Sequence, residues 1–152
     1  MMCLPLKPFK VEREWEHAGL KCTVVLAREG GHRCGYVRVG ASHPAFGKDY
    51  NDVDVDVHGG LTFGAVEPCA HENGTGYWFG FDCAHCGDSF YAPVFDESWG
   101  KEAKTSWLHH KKFSDEWREK HGTSVADTEH WWTEDEVVAE TERLAVQLAA
   151  MR

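Results

Sequence analysis

The chain is short of positive charge. Its 152 residues carry 16 Lys and Arg against 25 Asp and Glu, a formal charge of −9 with the histidines neutral. A long nucleic acid is therefore an unfavourable partner, because its phosphates would meet repulsion over most of the surface. A small anionic ligand stays compatible, since it needs only a local set of donors. No apolar run approaches the roughly 20 residues of a membrane-spanning helix, so no membrane partner is expected. The first residues, MMCLPLKP, lack the apolar core and cleavage pattern of a secretory signal. The expected location is the cytoplasm, where Cys3, Cys22, Cys34, Cys69, Cys83 and Cys86 would stay reduced. Phosphate-binding Gly-rich loops, a dinucleotide fingerprint, a Gly-x-Ser-x-Gly elbow, internal repeats and low-complexity tracts are all absent.

What is present is apolar and aromatic enough for a core: 42% of residues are hydrophobic and seven are Trp, which together with the length suits one domain over residues 1–152. Residues 20–27 and 33–39 read as two strands around a turn at residues 28–32. In the second strand Tyr36 and Arg38 share one face and Val37 and Val39 the other. Residues 11–17 are charged, with Trp15 as an anchor. Thr133 and Glu136 form a capping box, and Val137, Val138, Thr141, Leu144, Ala145, Leu148 and Ala149 recur at helical spacing, so a helix is predicted over 134–151. A short helix is predicted around 114–121. The fold class is α+β: an antiparallel sheet of about five strands covered by the C-terminal helix and one or two short helices.

Residues 53–88 hold most of the chemistry. Val53, Val55 and Val57 alternate with Asp54, Asp56 and His58, as in a strand with one apolar face. Pairing this run with residues 77–83 places Gly64 opposite Tyr77, Gly59 opposite Asp82 and His58 opposite Cys83. His58, Asp82 and His85 then cluster at one sheet end, with Asp88 to close the set. Imidazoles exchange protons near neutral pH, and a carboxylate can orient each ring. These four are the candidate catalytic residues. The alternative is a hydrogen-bonded cluster that only ties the sheet end together. The candidate ligand-binding residues are Tyr36, His43, Lys48 and Tyr50, with Gly59, Gly60 and Thr62 beside the cluster. Paired glycines let a ligand approach the backbone and leave amides free to donate. The loop at residues 40–52 is the expected rim of the pocket.

Cys69, His71, Cys83 and Cys86 are the right residue types for a structural zinc. The hairpin, however, puts the first two at the far end, about 20 Å from the others, so no metal site is assigned. Core packing is the ordinary role of Trp99, Trp107, Trp117, Trp131 and Trp132. If exposed, the Trp131–Trp132 pair would mark a partner or homodimer surface.

Several blocks also carry a resemblance. They are Cys34-Gly35-Tyr36-Val37, His43-Pro44 with Gly47-Lys48-Asp49-Tyr50, His58-Gly59-Gly60-Leu61-Thr62-Phe63, Trp78 to His85, Gly87-Asp88 and the closing Glu140-x-Glu142-Arg143-Leu144-Ala145. Together they resemble an uncharacterised family of small proteins encoded by bacteriophages and prophages, over most of the chain. Cys86 departs from the pattern, which usually has a small residue there, and residues 100–131 are least like it. The resemblance implies a setting, the host-cell cytoplasm, and no mechanism.

The resulting expectation is a His/Asp pocket that binds a small anionic, nucleotide-like ligand. Any chemistry would be hydrolysis with His58 and His85 as acid and base, and no cofactor is specified. In a phage setting the ligand would be a nucleotide signal of host defence. The contrasting expectation is a non-enzymatic protein that binds a host protein through an acidic, Trp-rich surface, with or without a structural zinc.

Overall fold

A computed structural model describes residues 3–27, 31–69 and 74–152. Among the described residues five antiparallel strands form one sheet: β1 Lys10–His17, β2 Leu20–Leu26, β3 Arg33–Val39, β4 Phe63–Val66 and β5 Tyr77–Asp82. Their order is β1-β2-β3-β5-β4. Two helices follow, α1 Lys101–His121 and α2 Glu134–Ala149. This is the α+β architecture expected, with a C-terminal helix on an antiparallel sheet.

β1 is an edge strand, which explains its charged sequence. Only every second or third residue is partly buried, and charge on an edge discourages pairing with other chains. It joins β2 through Ala18 and Gly19, both at positive φ (54° and 80°), the backbone of a tight two-residue hairpin turn. α2 starts at the capping box, with the Glu136 amide on Thr133 Oγ1 (3.2 Å) and the Thr133 amide on Glu136 Oε1 (3.0 Å). Its stripe of Val137, Val138, Thr141, Leu144, Ala145 and Leu148 is buried against Val24, Val37, Val39, Phe79 and Phe81 of the sheet.

The other face of the sheet has its own small core of Val25, Cys34, Tyr36 and Trp78, covered by Leu4, Leu6, Ala27 and Phe63. A disulfide between Cys3 and Cys69, with Cα atoms 5.9 Å apart, ties the N-terminal cover to the chain beyond β4. The expectation that all six cysteines stay reduced is corrected for this pair. The sequence distance of 66 residues hid a proximity that only the folded sheet creates.

Three further expectations are corrected. Gly64 faces Phe79 rather than Tyr77, a slip of two residues, which keeps every side chain on its predicted face. Residues 53–58 alternate in burial as predicted but lie outside the sheet. Their backbone is met by side chains of α2: the Asp56 amide donates to Gln147 Oε1 (2.7 Å), Gln147 Nε2 to Asp56 O (2.8 Å), and the His58 amide to Glu140 Oε1 (2.8 Å). The short helix predicted at 114–121 is the end of the 21-residue α1. α1 buries only Ser114, so it has no apolar stripe to read. It relies on surface pairs such as Lys111–Asp115 and on Gly122 at its C-terminus, whose positive φ lets its amide reach Arg118 O (2.7 Å). Among the described residues no helix is long and apolar enough to cross a membrane.

Candidate functional site

β5 ends at Asp82, and the chain turns through Cys83 to Asp88 at that sheet end. The Asp88 side chain is almost fully buried and accepts three hydrogen bonds. His58 Nε2 lies 2.7 Å from Oδ2, the His85 amide donates to the same oxygen (2.9 Å), and Trp132 Nε1 donates to Oδ1 (3.0 Å). Burial pushes this carboxyl up, but the His58, His85 and Trp132 donors outweigh it, and it titrates below its ordinary range. The His58 ring stands against the Trp132 indole, centroids 4.3 Å apart.

A second pair sits beside the first. Asp82 accepts from Thr62 Oγ1 (3.0 Å) and from the Ala84 amide (3.2 Å). His85 Nε2 lies 3.1 Å from Asp82 Oδ1, but the approach is out of line for a hydrogen bond, and that buried nitrogen has no other partner among the described residues. The contact is thus electrostatic proximity rather than a formed bond. The His58 and His85 rings meet edge to face, centroids 5.6 Å apart. The side chains of His58, His85 and Asp82 are 24%, 29% and 29% exposed, so each group keeps an edge toward solvent. The four candidate catalytic residues are therefore brought together.

Gly59 and Thr62 adjoin them. Gly59 has φ +69°, and a Cβ there would run into the His85 ring. Its absence lets the backbone cross directly over the imidazole, a close approach only glycine permits. Gly60 was expected to leave its amide free, but its N–H donates to Val57 O (2.8 Å) and closes the turn.

The expected rim residues lie elsewhere. Along β3, Cys34 pairs with Asp82 and Val39 with Tyr77, so the loop at 40–52 leaves from the opposite sheet end. His43 Nε2 donates to Leu148 O (2.7 Å) while its Nδ1 accepts from the Ala45 amide (3.0 Å), so it ties this loop to the last turn of α2. Tyr50 packs against the helix-side core. Lys48 faces a separate small cavity with Asp52 and Asp54. Tyr36 is buried in the core on the other face, edge to face with Phe63 (5.3 Å). Burial there pushes its hydroxyl well above the ordinary range.

The zinc alternative loses its ligands. Cys69 is in the disulfide and Cys83 is buried in the core, where burial pushes its thiol well up. Cys86 is exposed, and His71 lies outside the described residues. Among the described residues no three His, Cys, Asp or Glu converge to hold a metal. The Trp131–Trp132 pair is half-buried. Trp131 Nε1 donates to Gly31 O (2.9 Å), and its ring lies under the Arg33 guanidinium (4.4 Å). Both indole N–H groups are thus satisfied inside the chain.

Two parts of the site gave no local signal in the sequence. Trp132 is 44 residues from Asp88, and Glu140, which holds the His58 amide, reads simply as a helix-surface acid. A cavity of about 520 Å³ also lies elsewhere, between α1, residues 89–93 and residues 126–131, and neither His58 nor His85 lines it. Comparison with protein-family models, with curated proteins and with solved structures finds no match.

Proposed function

We propose that the His58–Asp88 and His85–Asp82 pairs bind a small anionic, nucleotide-like ligand. The observation that carries this reading is the pairing itself: two imidazoles 5.6 Å apart, each beside its own carboxylate and each with an outward edge. A carboxylate keeps an imidazole positively charged or fixes its tautomer, and two such rings side by side suit a phosphate oxygen pair. In the hydrolytic form of this reading one neutral imidazole takes a proton from water. The water oxygen bonds to phosphorus, the P–O bond to the leaving group breaks, and the other imidazole, protonated, delivers its proton to the leaving oxygen. With the phage resemblance, a nucleotide signal of host defence is the ligand class this reading favours.

The test is thermal stabilisation by a panel of nucleotides and cyclic oligonucleotides, on wild type and on His58→Ala and His85→Ala. A ligand at about 100 times its Kd adds about 2.7 kcal/mol. A shift in wild type that both variants lose supports the site, and product analysis then separates cleavage from binding. The absence of any shift across the panel would contradict it. A second reading, binding of a host protein, rests on Phe113 and Trp117, which stand 61% and 47% exposed on α1. It would be favoured by that negative result.

A further inference from the structure

We propose that the cavity between α1 and residues 126–131 binds a planar heteroaromatic ring carrying adjacent N–H donors, the edge that guanine presents among the nucleobases. This goes beyond the histidine pair and shares neither imidazole with it. The cavity has a volume of about 520 Å³, within the usual range for small-molecule sites. Its walls are aromatic and already fixed. Tyr91 and His110 stack at 4.1 Å with planes 16° apart. Trp107 is held by its Nε1 on Ala92 O (2.7 Å), and Trp131 by its bond to Gly31. Flat, preordered aromatic walls favour a flat ring and lose little freedom on binding it.

The polar groups select which ring. The basic groups at the cavity are already engaged: Lys111 with Asp115 (2.7 Å), Arg118 with Asp115 and Asp127 (2.9 and 2.6 Å), His130 with Glu136 (2.8 Å), and His110 in its stack on Tyr91. That leaves the Glu129 carboxylate, which has no ion pair or hydrogen bond among the described residues, and Ser114. Ser114 is 8% exposed, lines the cavity and has no described partner for its hydroxyl. A carboxylate only accepts, so it recognises donors, and two adjacent N–H groups satisfy both of its oxygens at once. Guanine offers that pair through N1–H and the 2-amino group. Adenine, cytosine and uracil do not.

The experiment titrates guanosine, adenosine, cytidine and uridine into the protein, followed by calorimetry and by the fluorescence of the wall tryptophans. Glu129→Gln is titrated in parallel. Nothing described pairs with Glu129, so this variant should keep the wild-type melting curve. The proposal expects saturable guanosine binding, the other three nucleosides at least about tenfold weaker, and a loss of about 10- to 100-fold for guanosine in Glu129→Gln, as for hydrogen bonds to a charged group. No saturable guanosine binding, equal binding of all four, or an unchanged Glu129→Gln would overturn it. Nucleosides carry no phosphate, so such a failure leaves the histidine reading intact. Nucleotide shifts that ignore His58 and His85 would overturn only the histidine reading.

Discussion

Asp88 and Glu67 are both carboxylates buried at the sheet, and they are used in opposite ways. Glu67 accepts two bonds from the Arg38 guanidinium (3.0 and 2.9 Å), one from the Gly76 amide (2.6 Å) and one from Trp78 Nε1 (3.2 Å). Asp88 accepts from an imidazole, an amide and an indole. The Arg38 bonds, against the opposing push of burial and with further help from Gly76 and Trp78, hold Glu67 at about 2. Both carboxylates are fully satisfied, so hydrogen-bond count does not distinguish them. The partner does. Arg38 is a permanent cation and closes a structural lock between the strands. His58 is an imidazole, a group that can both give and take a proton, and it keeps an edge in solvent. A buried acid thus becomes a candidate for chemistry when its partner can titrate and can be reached.

The comparison breaks most directly at Glu67. Replacing it with Ala leaves the Arg38 charge, the Trp78 indole and the Gly76 amide without their acceptor. Breaking a buried pair from one side costs about 3–5 kcal/mol, to be read by denaturant unfolding. The same lock sets an acid response. A depressed carboxyl contributes stability that is present above its unfolded value, near 4.5, and is lost as pH falls through its folded value of about 2. A shift of that size is on the order of 3 kcal/mol. Wild type should lose it between those limits, and Glu67→Gln should show a flatter profile over the same window. Gly59→Ala is expected to cost about 1–3 kcal/mol, because the new Cβ strains a positive φ and drives the His85 ring aside. It should also abolish ligand-induced stabilisation. The smallest effect on stability belongs to His85→Ala, under about 1 kcal/mol for a part-exposed ring with no formed side-chain hydrogen bond. If this variant unfolds the protein as readily as Glu67→Ala does, the two networks are alike and the His/Asp cluster is structural.

The two regions also differ in how far the sequence reveals them. α2 was legible because its capping box and apolar stripe are local patterns. The valine and aspartate alternation at 53–58 correctly gave the burial, but alternation does not say whether the partner is a strand or a helix. β1 was hidden because an edge strand carries charge where a central one carries valine, and α1 because it packs on almost nothing. His58, Asp82, His85 and Asp88 could be gathered from sequence, since all four flank one predicted hairpin end and a two-residue slip does not separate the ends. Trp132 and the Glu67 lock could not be gathered in this way. Trp132 reaches Asp88 from the segment before α2, which meets the chain there through the His130 bridge, and Arg38 is brought beside Glu67 by the pairing of β3 with β5. The rim was misplaced for the same reason: the loop at 40–52 leaves β3 at the sheet end opposite Asp82.

The most direct test of the central claim follows the imidazole nitrogens by NMR while a nucleoside monophosphate is titrated into the ¹⁵N-labelled protein. The account predicts that the His58 and His85 ring signals move together along one saturable curve, and that those of His43, whose two nitrogens are both bonded within the fold, stay still. Signals of His58 and His85 that do not move while the ligand binds elsewhere, or that move independently of each other, would contradict it.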